Sequence, residues 1–516
     1  MTGSEWALLC VYLTVVGLLA VYGFHRYQMV YLYYKHRKNA PRPRAQFSDD
    51  ELPSVTIQLP SYNERYVLSR LIDAVGRLDY PRHLLQVQVL DDSTDDTTEI
   101  ARRKVQQWRE RGLDIELYHR TDRTGFKAGA LDEGLKHATG ELVAIFDADF
   151  VPQPDFLRRT VHYFTDPEVG LVQSRWDHLN RDFSLLTQIQ SVFLDGHLQI
   201  EQTARNRSGR FFNFNGTAGI WRRKAIDEAG GWHHDTLTED LDLSFRSQLK
   251  GWKFIYLPDY TTPAELPADI NAFKTQQHRW TKGAVQVMRK CLLTILKAPQ
   301  VPLKVKIEAA YQLTMNFAYI LMVLLCVLML PVVTLQFDRS WTQLFVIDIP
   351  FFTLATTSIF SFYIAAQREI YPQTWKQRLR YIPLTVSVGI GMCLSNAKAV
   401  IEGLIGHESE FVRTPKHGIE GRKGSLRGKR YSTLKSLLPF VELAFGIYFS
   451  IVLGVVAYEH RFLVLPFVGL FTFGFLYVAW LSFAHHFGWK LGTGDDPEPQ
   501  PEPLALPAPQ EVGAGA

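Results

Sequence analysis

Cysteine is scarce in this chain of 516 residues, with four in all. Cys10, Cys326 and Cys393 lie inside apolar runs, Cys291 follows Lys290, and no pair has zinc-ligand spacing. A disulfide scaffold and a thiolate metal site are therefore excluded. Charge of one sign is lacking too. The 56 Lys+Arg against 52 Asp+Glu leave a net +4, which gives no electrostatic footprint for nucleic acid. There is no G-x-x-x-x-G-K-[ST] string for an ATP-driven machine, and no long-period repeat. Between about Pro41 and Pro302 there is no apolar run long enough to cross a membrane. Yet 47% of the residues are hydrophobic, which excludes a disordered chain. The mean hydropathy of −0.07 thus conceals segregation.

The apolar residues are concentrated outside that block. Trp6–Phe24 is almost wholly apolar, and 19 residues of helix rise about 28 Å, enough for a hydrocarbon core. Glu5 and the missing basic n-region argue against a signal peptide. Arg26, Lys35, Arg37 and Lys38 follow, so the positive-inside rule predicts the N-terminus outside and residue 25 onward in the cytosol. Further spans are read at Leu313–Leu335, Leu344–Ala366, Leu437–Tyr458 and Phe462–Ala484. Tyr381–Ile405 is apolar but carries Asn396, Lys398 and Glu402. Basic loops on both sides of it should be cytosolic, so it is read as re-entrant or interfacial. The expectation is an integral protein of a plasma or inner membrane, with five spans and a cytosolic C-terminus. Gly283–Pro302 reads as an interfacial amphipathic helix. The tail from Gly494 is acidic and proline-rich, without Lys or Arg, and reads as disordered.

The soluble block alternates strands with helices. Short β-rich runs at Val55–Leu59, Val87–Leu90, Ile115–Tyr118 and Leu142–Phe146 are separated by helical patterns at Val67–Leu78, Thr97–Arg111 and Lys127–His137. This predicts an α/β fold with a largely parallel sheet. Ligands of such sheets bind beyond the carboxyl ends of the strands. Pro60–Glu64, Asp91–Ser93 and Asp147–Asp149 stand there.

Asp147 and Asp149 form a D-x-D that can hold a hard divalent cation, Mg²⁺ or Mn²⁺, through oxygen ligands. Taken alone, the pair also reads as turn capping, and Asp91-Asp92-Ser93 reads as N-cap chemistry. Two later groups change that balance. Thr238-Glu239-Asp240 offers a carboxylate for general-base work. Gln276-Gln277-His278-Arg279-Trp280 offers a guanidinium for a pyrophosphate and an indole for a sugar face.

In this order the groups resemble the membrane-embedded family 2 glycosyltransferases that include cellulose, chitin and hyaluronan synthases. The strings DDSTDDTTEIA, GFKAGAL, FDADF, FNGTAGIWR, EAGGW and QQHRW are most similar to the cellulose-synthase-like A and C branches. The resemblance covers nearly the whole chain except the tail. It implies a glycosyltransferase A-type nucleotide-sugar domain, inserted after one transmembrane helix and followed by a helical membrane bundle. The implied layout is a membrane helix and linker over 1–40, the catalytic domain over 41–282, an interfacial helix over 283–310, the bundle over 311–485 and a tail over 486–516. The fused cyclic-di-GMP-binding domain of bacterial cellulose synthase is not expected.

The resemblance also implies roles. Tyr62, Glu64, Asp91, Lys127, Asp147, Gln276 and Arg279 would bind the nucleotide sugar, with Ser61 replacing the family's usual Thr. Asp147 and Asp149 would hold the metal. Asp240 would be the catalytic base within Thr238-Glu239-Asp240. Asn215, Gly216 and Trp280 would meet the acceptor. Phe411, Thr414 and Lys416 match the F-x-V-T-x-K gating loop, with Arg413 in place of Val. The expected reaction is an inverting transfer of a hexose from GDP-mannose or UDP-glucose to a growing β-1,4-linked polysaccharide, coupled to its export. The expected partners are a nucleotide-sugar donor, a polysaccharide or lipid acceptor and the bilayer, with no nucleic acid. The alternatives are a glycolipid synthase adding one sugar to diacylglycerol or ceramide and, more remotely, a transporter or receptor with a nucleotide-binding domain.

Overall fold

The computed structural model of the chain describes residues 3–334, 349–407, 411–422, 437–462 and 464–486. The acidic tail, the basic stretch 423–436 and the start of the span read from Leu344 lie outside the described residues.

The soluble block is built on a seven-stranded sheet: β1 (Val55–Ser61), β2 (Leu85–Asp91), β3 (Asp114–His119), β4 (Leu142–Ile145), β5 (Val169–His178), β6 (Gly219–Arg222) and β7 (Lys253–Ala264). The spatial order is β3-β2-β1-β4-β6-β5-β7. β1 through β4 pair in parallel, β6 runs antiparallel to β4 and β5, and β7 is parallel to β5. The expected parallel sheet is thus a mixed one, extended by three strands.

Side-chain alternation sorts the sheet into two cores. On β4, Leu142 and Ala144 join Leu71, Ile72, Val75 and Trp108 of the helices Leu68–Gly76 and Thr97–Arg109. Val143 and Ile145 join Leu131, Leu135, Trp221 and Phe254 on the other face. Each fully buried Leu or Ile contributes about 1.5–3 kcal/mol to holding these layers.

The topology sends one set of loops to one edge. β1, β2 and β4 end there because they are parallel. β6 begins there because it is antiparallel, with Gly219 opposite Ile145. β5 and β7 end there as well, with His178 opposite Ala264.

The helix Ile270–Lys297 runs unbroken for 28 residues from its N-cap Asp269, whose carboxylate accepts Asn271 N at 2.7 Å and Ala272 N at 2.9 Å. No proline stands between Ile270 and Lys297, and Pro299 and Pro302 follow. The segment expected to be one interfacial helix over 283–310 is therefore divided. Its first half continues the helix of Gln276 and Arg279, and Leu303–Thr314 leads into Ala318–Thr334.

Four helices among the described residues are long and apolar enough to cross a membrane: Gly3–His36, Leu303–Val333, Leu438–Tyr458 and Leu465–His485. The region read as re-entrant forms the pair Trp375–Gly391 and Cys393–Ile405, bent by 48°. The described part of the span read at Leu344–Ala366 lies in the helix Ile349–Ile370.

Candidate active site

The loops at the shared sheet edge enclose a cleft with about 1280 Å³ of empty space, open solvent included. Helix Ile270–Lys297 and the segment 411–416 close it from the membrane-helix side. Sixteen of the seventeen site residues singled out in the sequence line this cleft. The exception is Asp91. Its carboxylate is buried at the end of β2, where Thr98 Oγ1 donates at 2.6 Å, Ser93 N at 3.2 Å and His119 Nδ1 lies at 2.9 Å. The neighbouring Asp92 lines the cleft instead, held by an Arg120 fork at 2.8 and 2.6 Å. Adjacent strand residues face opposite ways, and the sequence alone does not say which one faces the ligand.

Charge in the cleft is arranged in pairs. Lys127 Nζ donates to Asp147 Oδ1 at 2.5 Å and to Gly216 O at 2.9 Å, and lies 3.9 Å from Glu239. Burial alone would lower the Lys127 pKa, but the carboxylates of Asp147 and Glu239 outweigh it and the net shift is upward. Lys416 Nζ donates to Asp149 Oδ2 at 2.6 Å and to Glu265 O. Each D-x-D carboxylate thus gives one oxygen to a lysine. Asp147 Oδ2 and Asp149 Oδ1 accept no hydrogen bond among the described residues. The pair therefore has oxygens to offer a hard cation and fits that role. A different cluster, His233, Asp235 and Asp242, also has metal-like spacing. Its carboxylates already bind Lys290 at 2.8 and 3.0 Å and Arg246 at 2.8 Å, so it is an ion-pair network.

Asp240 stands in the first turn of helix Glu239–Leu249. Burial, then the neighbouring Glu239 charge, push its carboxyl up to about 7, against the pull of Lys127. Gly216 lies against it with φ +84°; a Cβ there would sit 3.0 Å from Asp240 Oδ2. Asn215 is fixed through its Oδ1 by Gln202 at 2.9 Å and Asn213 at 2.8 Å. Gly283, one turn beyond Arg279, lets helix Ile270–Lys297 touch the same segment; a Cβ there would lie 2.5 Å from Thr238 Cγ2. Arg279 makes no hydrogen bond or ion pair among the described residues, and its guanidinium lies 4.3 Å from the Phe411 ring centre. Burial lowers its pKa, against the pull of the Glu239, Asp147, Asp240 and Asp149 carboxylates.

The segment 411–422 is tied down over the cleft. Phe411 stacks with Phe126, ring centres 5.8 Å apart. Arg413 forks onto Glu64 at 2.9 and 3.0 Å and also donates to Asn63 O. Burial holds the Glu64 carboxyl up at about 7, although Arg413 opposes it. Glu265 receives the backbone N–H groups of His417 and Gly418 at 2.8 Å and of Ile419 at 3.2 Å.

Six buried polar atoms of residues that line the cleft find no partner among the described residues: Ser61 Oγ, Arg123 Nε, Trp176 Nε1, Asn215 Nδ2, Thr238 Oγ1 and Thr414 Oγ1. Buried polar groups are nearly always satisfied. These atoms are open to hydrogen bonds from a polar ligand or water.

Comparison with known proteins decides the family. The model of "Glycosyltransferase like family 2" matches residues 53–283. Glucomannan 4-beta-mannosyltransferase 2 of Arabidopsis thaliana is 37% identical over 426 residues, covering 78% of this chain and 76% of that protein. The chain belongs to glycosyltransferase family 2. Among its relatives is also glucomannan 4-beta-mannosyltransferase 1 of Oryza sativa subsp. japonica, 47% identical over 264 residues. That alignment takes in 50% of this glycosyltransferase and spans about half, 51%, of the relative. The fold is similar to that of the mannosyltransferase PcManGT from Pyrobaculum calidifontis, solved in complex with GDP-Man and Mn²⁺. The TM-score is 0.51 at 22% identity, over 70% of this chain and 99% of that one.

Sequence reasoning missed several cleft residues of this glycosyltransferase. Arg123 lies with its guanidinium 3.3 Å from the Tyr62 ring centre. Its signal was the basic residue just before GFKAGAL. Asp177 and His178 line the cleft from the end of β5. His178 Nε2 lies 3.1 Å from the buried Asp195. Glu265, at the end of β7, carried no local signal.

Proposed function

We propose that this glycosyltransferase transfers mannose from GDP-mannose to the end of a β-1,4-linked glycan, with inversion at the anomeric carbon. The observation that carries the reading is the meeting, in one cleft, of Asp240, two lysine-paired D-x-D carboxylates and Arg279, which has no ion pair among the described residues. The glucomannan 4-beta-mannosyltransferase relatives support the sugar and the linkage, and the GDP-Man of the PcManGT complex agrees with the donor.

In this reading Asp240 takes the proton from an acceptor hydroxyl as that oxygen attacks the anomeric carbon. The new carbon–oxygen bond forms as the bond to the diphosphate breaks, so the products are a longer glycan and GDP. Lys127 and Arg279 stabilise the charge gathering on the leaving diphosphate. Asp147 and Asp149 would hold a divalent cation such as Mn²⁺ or Mg²⁺, which supplies further neutralisation of that charge when bound. Tyr62 with Arg123, Glu64 and Gln276 would bind the nucleotide sugar, and Asn215, Gly216 and Trp280 the acceptor. Phe411, Thr414 and Lys416 would cover the donor. The apolar helices would embed the enzyme in a bilayer, with the cleft on the cytosolic side, and offer a route for export of the product.

The test is a donor panel on the purified full chain in nanodiscs, with Mn²⁺ or Mg²⁺, followed by linkage analysis. The expected result is β-1,4-linked mannan from GDP-mannose. A polymer made from UDP-glucose would overturn the donor, and a solvent-extractable glycolipid would overturn the acceptor.

A further inference from the structure

Three charged or titratable side chains in the membrane-side helices share one explanation: Glu442 in Leu438–Tyr458, Glu402 in Cys393–Ile405 and His485 in Leu465–His486. Ionisable groups on apolar helices are costly to bury unless they are paired. Each meets the helix Ile270–Lys297. Lys274 Nζ donates to Glu442 at 2.6 Å and to Ser482 Oγ at 2.7 Å, with both charged groups buried. His278 Nε2 lies 3.0 Å from Glu402 Oε2, and Lys282 Nζ lies 3.3 Å from the same oxygen. His485 Nδ1 lies 3.0 Å from the N-cap Asp269.

The spacing divides this helix into two working faces. Lys274, His278 and Lys282 recur every fourth residue, so they lie on one stripe. Gln276, Arg279, Trp280 and Gly283 lie on another stripe, which lines the cleft and touches Thr238. A rotation or slide of the helix would break the ion pairs on the first stripe and misplace Arg279 and Trp280 on the second. Hydrophobic contact alone is tolerant of such a slip; the two lysine–glutamate ion pairs and the His278–Glu402 contact are not.

We infer that Glu442 and Glu402 are positioning residues: through Lys274 and through His278 and Lys282 they fix the register of the helix that presents Gln276, Arg279 and Trp280 to the reaction. The membrane bundle thereby sets the geometry of the cleft besides anchoring it. The inference rests on the proposed transfer only for its kinetic consequence.

The experiment compares the full chain in nanodiscs with Glu442→Gln and Glu402→Gln. It measures amide exchange by mass spectrometry together with kcat and donor KM. Exchange across residues 270–297 should accelerate while that of β1, β2 and β4 stays at the parent rate. In the same variants kcat should fall by about 100-fold, the order expected from a displacement near 1 Å, with donor KM raised. If Glu442→Gln does not accumulate in membranes, two further variants carry the test. One is Glu402→Gln alone; the other is the pair Lys274→Met and Glu442→Met, which removes both charges. Folded variants that keep parental exchange in 270–297 and parental kcat overturn the inference. Absence of transfer by the parent from every donor would sink the functional reading and leave the exchange measurement decisive.

Discussion

Lys416 Nζ lies 2.6 Å from Asp149 Oδ2, two residues beyond the aspartate that Lys127 engages. The pair joins the segment 411–422 to the D-x-D, from 267 positions away in the chain. An ammonium and a divalent cation therefore compete for one carboxylate. Lys416→Met should tighten Mn²⁺ binding in the absence of donor by about tenfold or more, because a buried carboxylate left without its cation is uncompensated. Calorimetry with Mn²⁺ alone checks this. Unchanged or weaker binding would show that Asp149 is not a ligand.

Asp240→Asn should retain nucleotide-sugar binding and lower transfer by about 10²–10⁴-fold, the usual contribution of a general base. A base must be deprotonated to act, so the kcat of the parent should rise with pH and level off above about 7, where Asp240 titrates. Glu239→Gln removes a neighbouring negative charge and should move that profile to lower pH. Rate measurements across pH 5–9 check both.

The same elevation has a consequence for stability. A carboxyl whose pKa is raised on folding favours the fold while protonated, and that contribution is lost as pH rises through the folded value. For Asp240 the loss spans the range from its ordinary pKa to about 7. Asp240→Asn should therefore melt a few degrees above the parent at pH 8 and equal to it at pH 4. Equal melting at both values would show that burial does not disfavour this carboxylate.

Much of this architecture was legible in the sequence, because apolar alternation and helical rhythm report burial directly. The four strands, the helices between them and the carboxylates at the strand ends follow from that pattern. β5 did not stand out, since its first seven residues, Val169 to Arg175, are buried on both faces and show no alternation. That Asp91 turns to His119 while Asp92 turns to Arg120 and the cleft is visible only in three dimensions. Arg413 looked like a departure from a motif. Its partner Glu64 lies 349 positions away. Lys274 and Glu442 are 168 apart. No local pattern announces such pairs.

Arg413→Val would restore the residue found in the related motif, yet it should destabilise this chain. Glu64 would be left buried without its fork; because it can then take up a proton, the cost at pH 8, one unit above its value of about 7, is about 1.4 kcal/mol. The loss should be large at pH 8 and small at pH 5, below the Glu64 value of about 7. Adding Glu64→Gln should recover most of it. Thermal melts of the three variants at both pH values check the prediction.

Gly216→Ala tests the close approach at the base. The φ of +84° and the 3.0 Å contact with Asp240 Oδ2 should cost about 1 kcal/mol or more in stability. The same substitution should lower kcat by about 10²-fold, because it moves the reacting carboxylate. Full activity in Gly216→Ala would mean that Asp240 can work from another position.

Glu265 grips three consecutive backbone N–H groups, so what it recognises is the course of the chain and not the letters along it. Ile419 contributes to that grip only an amide common to every residue but proline, while its buried side chain, packed with Phe183 and Ala268, must stay apolar. Gly418 has no such freedom, since its φ of +68° and its approach to Tyr66 O leave no place for a side chain. Among relatives, the positions answering to 265 and 418 should stay constant while 419 drifts among apolar types.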